Sequence, residues 1–136
     1  MRMALPLDMW KAGAAASALV LLAAPLEAQA PDLAMLDGLA KGTWDIRNRE
    51  DGTHQRICVR DGRELIQLRH RQSGCSRFVV QDAANEVVVH YTCRGNGDGR
   101  TSIRRESAAL VQIRSQGVEG GTPFSISAEG RRTGAC

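Results

Sequence analysis

Four cysteines, at positions 58, 75, 93 and 136, place the strongest constraint on what this chain can fold into. Their number is even, and no C-x-x-C pair occurs, so a thioredoxin-type redox pair is absent. Zinc sites usually draw on closely paired ligands, which these widely spaced cysteines do not provide. In an exported domain, such a set is typical of structural disulfides that contribute about 2–4 kcal/mol each. The sequence therefore predicts two disulfides.

Four cysteines can pair in three ways, and the strand pattern leaves two of them open. We favour Cys58–Cys75 with Cys93–Cys136, because these bonds would clamp the connection between two strands and anchor the tail. The alternative is Cys75–Cys93 with Cys58–Cys136, since a hairpin that turns at Ala84 sets Cys75 opposite Cys93. In both schemes Cys136 is interpreted as a covalent end-stop for the last strand.

The first thirty residues have the composition of a secretory signal peptide. A basic start is followed by an uncharged apolar run at residues 12–24 and by the small-x-small sequence Ala28-Gln29-Ala30. The run is shorter than the roughly 20 residues that a transmembrane helix needs. We predict cleavage after Ala30 or after Ala28, because Pro31 disfavours the first of these positions.

Residues 31–136 are predicted to form a single domain with a small core. They contain only four residues of the Phe, Tyr and Trp type, at positions 44, 78, 91 and 124. A domain of this size buries a modest share of its surface, so few large side chains leave it marginally stable. The predicted disulfides compensate for this thin core.

From residue 42 onward the pattern is that of short β-strands separated by turns rich in Gly, Asn and Asp. GTWDIRNRE and THQRICVR predict one hairpin, and CSRFVVQD and EVVVHYTCR predict a second. GRTSIRRES, ALVQIRSQ and FSISAEGRR predict three further strands. We therefore expect an all-β domain, an antiparallel meander of about seven strands that curls into a half or full barrel.

Two short helices are predicted beside the strands. Residues 33–39 carry leucines three apart, which favours a helical lead-in. Residues 61–70 (DGRELIQLRH) predict the one clear helix inside the domain, with Asp61 and Glu64 in a capping arrangement. Leu65 and Leu68 would share the face of that helix that leans on the sheet.

The leading functional hypothesis is a non-enzymatic binding or interaction module. A curled sheet would present an apolar concave face to a small apolar ligand or to a periplasmic protein partner. The candidate ligand-facing side chains are Trp44, Ile46, Val88, Phe124 and Ile126. We predict no cofactor, no metal and a monomer.

A small hydrolase or metal-dependent enzyme is the alternative hypothesis. It would use His90 or His54 with a nearby carboxylate, whereas His70 has no assigned role. No G-x-S-x-G or S-x-x-K motif and no metal-ligand histidine spacing occurs in the chain. The GNGDG stretch lacks the oxygen ladder of a Ca²⁺ loop and predicts a turn.

Arginine richness raises the question of a polyanionic partner, although the net charge is only +3. A nucleic-acid surface usually adds stacking aromatic residues and a stronger charge, so we predict no nucleic-acid partner. We expect the arginines to lie on a solvated outer face of the sheet. If they share one face, a weak anion-binding site is the alternative. The arginines considered are Arg47, Arg49, Arg56, Arg104, Arg105 and Arg114.

The order of these motifs resembles a family of small exported bacterial proteins known as domain of unknown function 3617. The matching stretches are residues 42–45 (GTWD), 57–58 (IC), 75–95, which run from Cys75 to the TCRG stretch, and 130–136 (GRRTGAC). Asp45 stands where the family usually has Glu, and Met- and Pro-rich insertions are missing. The resemblance implies a periplasmic β-rich domain, supplies no catalytic residues, and leads us to expect no stable membrane insertion after signal removal.

Overall fold

The computed structural model describes residues 31–136, and the predicted signal peptide at residues 1–30 lies outside them. Seven antiparallel strands form one sheet, which confirms the predicted fold class. The strands are β1 Gly42–Asn48, β2 His54–Val59, β3 Ser76–Asp82, β4 Glu86–Cys93, β5 Gly97–Ser107, β6 Leu110–Glu119 and β7 Thr122–Gly134.

The strand order in the sheet is β2-β1-β7-β6-β5-β4-β3. Strands β3 to β7 form the predicted meander, and the β1–β2 hairpin joins it through pairing of β1 with β7. Strands β2 and β3 are the two edges and do not pair, so of the predicted half or full barrel the closed form does not occur. The chain must cross from one edge to the other between β2 and β3, and this connection occupies the place where the edges would otherwise meet.

The two predicted helices have different outcomes. The lead-in is confirmed as helix α1, Ala34–Asp37. The predicted helix over residues 61–70 is wrong, because only a single 3-10 turn forms, at Arg63–Leu65. The predicted capping arrangement is also wrong: Gly62 precedes the 3-10 turn without a side-chain cap, and Asp61 Oδ1 and Glu64 Oε1 accept instead from the N–H groups of Arg63 and Arg60, each at 2.9 Å.

Tertiary contacts stop this helix from continuing. Two turns of helix are marginal unless packing supports them. The backbone oxygen of Ile66 instead accepts a hydrogen bond from Thr101 Oγ1 on β5 at 2.7 Å. Leu65, Ile66 and Leu68 are all buried. The segment therefore packs against the sheet and does not continue as a helix.

The core lies on one face of the curled sheet, which we call the inner face. Alternate residues of the strands point into it, as the period of two in a β-strand requires. The strands supply Trp44, Ile46, Ile57, Val59, Val87, Val89, Tyr91, Ile103, Val111, Ile113 and Ala128. Leucines from around α1 and from the β2–β3 connection cover them, at positions 33, 36, 39, 65 and 68. The inner face is therefore filled by the chain itself.

Both disulfides form, but the favoured pairing is wrong. The bonds are Cys58–Cys136 and Cys75–Cys93, with Cα–Cα distances of 5.7 and 4.3 Å. Thr43 on β1 pairs with Cys58 on one side and with Gly134 at the end of β7 on the other, which brings Cys58 to Cys136. The β3–β4 hairpin sets Cys75 beside Cys93, as the alternative scheme supposed.

Among residues 31–136, no helix has the length and apolar character needed to cross a membrane.

Candidate functional site

The predicted ligand-facing set does not form a binding surface. Trp44 and Ile46 are 0% and 4% exposed, and the indole Nε1 of Trp44 donates to the Ala40 oxygen at 2.8 Å. Phe124 lies 5.7 Å, centroid to centroid, from the ring of the buried His70, and Ile126 packs against the core. Trp44 and Ile46 therefore belong to the core, and Phe124 and Ile126 lie beside it, half-buried.

Val88, the fifth residue predicted to face a ligand, contradicts the prediction for a different reason. Its neighbours Val87 and Val89 belong to the core cluster of the inner face. Because successive side chains of a strand point to opposite faces, Val88 lies on the other side of the sheet. The five predicted residues therefore do not share one face.

The histidines of the enzyme hypothesis lie apart on different strands. His54 Nδ1 lies 2.9 Å from Asp45 Oδ2, and His90 Nε2 lies 3.9 Å from Asp98 Oδ1. About half of each histidine side chain is exposed to solvent. Within residues 31–136, no group of three or more His, Cys, Asp or Glu side chains could hold a metal ion.

His70 differs from the other two histidines because it is buried. Its Nδ1 lies 3.0 Å from the Tyr91 hydroxyl, and its Nε2 lies 3.3 Å from the Asn96 backbone oxygen. Burial raises the pKa of Tyr91 above its ordinary value of 10.0; a hydrogen bond with Ser115 opposes the shift, and the nearby charges of Asp98 and Glu119 add to it. This pair supports the core beneath the β2–β3 connection.

Tyr91 is expected to ionise only above pH 10, and stability should fall as the pH rises past 10. Its folded pKa exceeds its unfolded pKa, so both states hold the proton at lower pH and the unfolded state loses it first. Tyr91 is the only tyrosine, and ultraviolet absorbance during an alkaline titration reports on it alone. An ordinary titration curve in the folded protein would contradict this expectation.

The opposite side of the sheet, which we call the outer face, is polar. It carries Asp45, Arg47, Arg56, Glu86, His90, Asp98, Arg100, Ser102, Arg104, Gln112, Arg114, Gln116 and Glu129, assigned by strand alternation and register. Of the arginines considered from the sequence, all except Arg105 share this face. A guanidinium nitrogen of Arg105 lies close to Gly38, beside α1.

A hollow of about 470 Å³ lies on the outer face. It is lined by Arg49, Glu86, Ser102, Arg104, Glu106, Gln112 and Arg114, together with parts of Ile113, Ser127 and Ala128. A smaller hollow next to it shares Ser102 and Arg114 and adds Arg100 and Gln116. The two hollows together follow β5 and β6 along the middle of the sheet.

The carboxylates of the outer face already have partners. The contacts are Asp45 with His54, Glu86 with Ser102 at 2.6 Å, Asp98 with His90, Glu106 with Arg104 at 3.1 Å, and Glu129 with Arg131 at 3.2 Å. The hydrogen bond from Arg131 holds the pKa of Glu129 below its usual value, so this carboxylate stays ionised.

Four arginines of the outer face differ from these groups. Within the part of the chain that the structure describes, the side chains of Arg47, Arg56, Arg100 and Arg114 make no hydrogen bond or ion pair. Arg100 and Arg114 lie on the neighbouring strands β5 and β6, where Ser102 pairs directly with Arg114. Diagonal neighbours of this kind are about 7–8 Å apart, within reach of one anionic group or surface.

Sequence reasoning missed Arg100. Its signal was the alternation Arg100-x-Ser102-x-Arg104, which places three polar side chains on one face of β5. Pairing with Arg114 could not be foreseen, because it depends on the register between β5 and β6.

Comparison with known proteins adds no assignment. The chain matches no protein-family model, and no curated protein or solved structure matches it significantly.

Proposed function

We propose that this protein is an exported, non-catalytic interaction module that docks an acidic surface of a partner protein on the outer face of its sheet. The observation that carries the proposal is the pair Arg100 and Arg114, which lie diagonally across β5 and β6 without a carboxylate partner in residues 31–136. A guanidinium can hold a carboxylate through two parallel hydrogen bonds, so two such groups suit an acidic segment.

The filled inner face supports a protein partner over a small apolar ligand. The side chains that could have lined an apolar cavity are covered by α1 and by the β2–β3 connection. The outer face is an extended surface of strands, and its carboxylates are occupied while four of its arginines are not. Charge complementarity therefore favours an acidic partner.

Export to the periplasm is part of the same proposal. Two disulfides are typical of proteins that fold in an oxidising compartment. The composition of residues 1–30 predicts a signal peptide, and the resemblance to domain of unknown function 3617 points to the same location.

The hydrolase hypothesis has less support from the geometry. A histidine that is paired with a carboxylate needs a nucleophile or a metal-bound water to act upon. The His54–Asp45 pair lies on an open sheet with His54 about half exposed, and within residues 31–136 neither side chain makes any other hydrogen bond or ion pair.

Binding of a short oligoglutamate peptide tests the proposal. Isothermal titration calorimetry at low salt should detect binding that weakens as salt is added, because exposed charges are screened. Arg100→Gln and Arg114→Gln should each weaken the affinity about tenfold, which corresponds to about 1.4 kcal/mol.

Arg94→Gln is the matched control, because Arg94 is an exposed arginine in the turn after β4 and lies outside both outer-face hollows. It should leave the affinity unchanged. An equal loss of affinity in Arg94→Gln would mean that the effect depends only on the net charge of the protein. Equally tight binding of free glutamate would make the face a small-anion site and overturn the protein-partner proposal.

A further inference from the structure

Phe78 is the most exposed large apolar side chain in the part of the chain that the structure describes. It is 70% exposed, and the other large apolar side chain at the surface of residues 31–136 is Val80, at 43%. Both lie on β3, an edge strand of the sheet. Aromatic side chains are enriched in protein interfaces, so the groups around Phe78 indicate which kind of partner would cover it.

Strand register places Phe78 on the outer face. Phe78 pairs directly with His90 on β4, and directly opposed residues of an antiparallel pair project from the same face. The neighbours of His90 along β4, Val89 and Tyr91, belong to the core on the inner face. His90, and Phe78 with it, therefore lie on the outer face. Val80 lies at a break in the pairing register, so its face is not fixed in this way.

The row that contains Phe78 continues across the sheet to an arginine without a partner. His90 pairs directly with Arg100 on β5, so Phe78, His90 and Arg100 lie side by side on three neighbouring strands. Neighbouring strands are about 4.8 Å apart, which separates the backbones at Phe78 and Arg100 by about 10 Å. An extended peptide rises about 3.3 Å per residue, so about three residues span this distance.

The groups between the ring and the guanidinium do not cover either of them. Asp98, which lies beside the row, has its Oδ1 3.9 Å from His90 Nε2, and about half of each of these side chains is exposed. The side chain of Arg100 makes no hydrogen bond or ion pair within residues 31–136. A segment that crosses this row therefore meets an apolar ring at the edge of the sheet and an uncompensated positive charge two strands further in.

We propose that the partner docked on the outer face carries a large apolar side chain about three residues from its acidic group, and that this side chain packs on Phe78. The acidic group accepts hydrogen bonds from the guanidinium of Arg100, helped by Arg114 on β6. Burial of the Phe78 ring adds a hydrophobic contribution that sodium chloride does not screen. The inference rests on the proposed docking of an acidic partner and adds a second chemical feature of that partner.

Two peptides of equal charge test this feature. Both begin with four glutamates and two glycines, and one ends in tryptophan where the other ends in serine. In isothermal titration calorimetry the tryptophan peptide should bind about tenfold more tightly. Added sodium chloride should weaken both peptides and preserve the ratio of their affinities, because screening acts on the charges alone.

The outcomes separate this inference from the proposed function. Equal affinities of the two peptides would overturn the apolar contact and leave the docking of an acidic segment intact. If neither peptide binds, the acidic docking itself is wrong, and the inference is overturned with it.

Variants of Phe78 test the assigned residue. Phe78→Ala should weaken the tryptophan peptide about tenfold, to the affinity of the serine peptide, and leave the serine peptide unchanged. Phe78→Leu keeps an apolar side chain and should retain most of the difference, whereas Arg100→Gln should weaken both peptides. Because Phe78 is exposed, none of its replacements should lower the melting temperature appreciably. A parent-like preference for tryptophan in Phe78→Ala would sink the assignment.

Sedimentation of the protein alone tests a different occupant, a second copy of this chain. We expect a monomer for the parent and for Phe78→Ala at the concentrations of the titration. A dimer in the parent that Phe78→Ala abolishes would assign the ring to self-association and overturn its role in binding a partner.

Discussion

Replacing Trp44 with alanine is expected to lower the free energy of unfolding by about 3–5 kcal/mol. Trp44 lies on β1, between β2 and β7; its indole is fully buried on the inner face, and its Nε1–H donates to the Ala40 oxygen. The substitution leaves a large cavity and an acceptor without its donor. Because domains of this kind are stable by about 5–15 kcal/mol, the variant should lose a large share of its stability in a urea titration.

Phe78→Ala is the control for this prediction. Phe78 is also aromatic and also lies on a strand, but it is 70% exposed on the edge strand β3. Its removal should change stability by no more than about 0.5 kcal/mol. A similar loss in both variants would contradict the assignment of Trp44 to the core and return it to a surface role.

Removing the Cys58–Cys136 disulfide is expected to cost about 4 kcal/mol. The bond links residues 78 positions apart, so breaking it releases a long loop in the unfolded chain. The paired variant Cys58→Ala with Cys136→Ala should therefore show a large drop in the denaturation midpoint. The end of β7, which pairs with β1 through Gly134, should lose hydrogen-exchange protection first.

The Cys75–Cys93 disulfide provides the comparison. Its loop spans 18 positions, and the loop-closure relation gives about 3 kcal/mol for its removal through Cys75→Ala with Cys93→Ala. Mass spectrometry of peptides from the unreduced protein identifies both bonds directly. A peptide that joins Cys58 to Cys75 would contradict the pairing and the strand order behind it.

Local pattern was sufficient to predict each strand and its turn. Trp44 and Ile46 alternate with Asp45 and Arg47 in β1, and the structure buries the first pair and leaves the second toward solvent. Alternation depends only on the geometry of a single strand, so it can be read without knowledge of its neighbours. The side chains of Asp61 and Glu64 do bond to nearby backbone N–H groups, of Arg63 and Arg60, although not in the predicted capping arrangement.

Predictions that depended on strand neighbours were less successful. The favoured partner of Cys58 was wrong because β1 pairs with both β2 and β7, which the sequence does not reveal. The helix over residues 61–70 was wrong because hydrogen bonding to Thr101 and burial against the sheet outweigh a weak local preference. The ligand-facing set was wrong because Trp44 and Ile46 are buried in the core, while Val88 lies on the opposite face of the sheet.

The candidate sites also depend on which strands are neighbours, and not on local pattern. Composition alone indicated many arginines and a polar outer face, but register across β5 and β6 brought Arg100 next to Arg114. A hollow of about 310 Å³ lies between β2 and β3, which are opposite edges of an open sheet. The spacing of residues along the chain does not predict that gap.

The sequence by itself determined the β class, the strand positions, the turns and the presence of two disulfides, because these depend on alternation, turn chemistry and cysteine number. Only the tertiary structure decided which strands are neighbours, which cysteines pair and which charges lack a partner. Those properties arise from contacts between distant residues, whose arrangement is selected by burial of the whole core and not by any local preference.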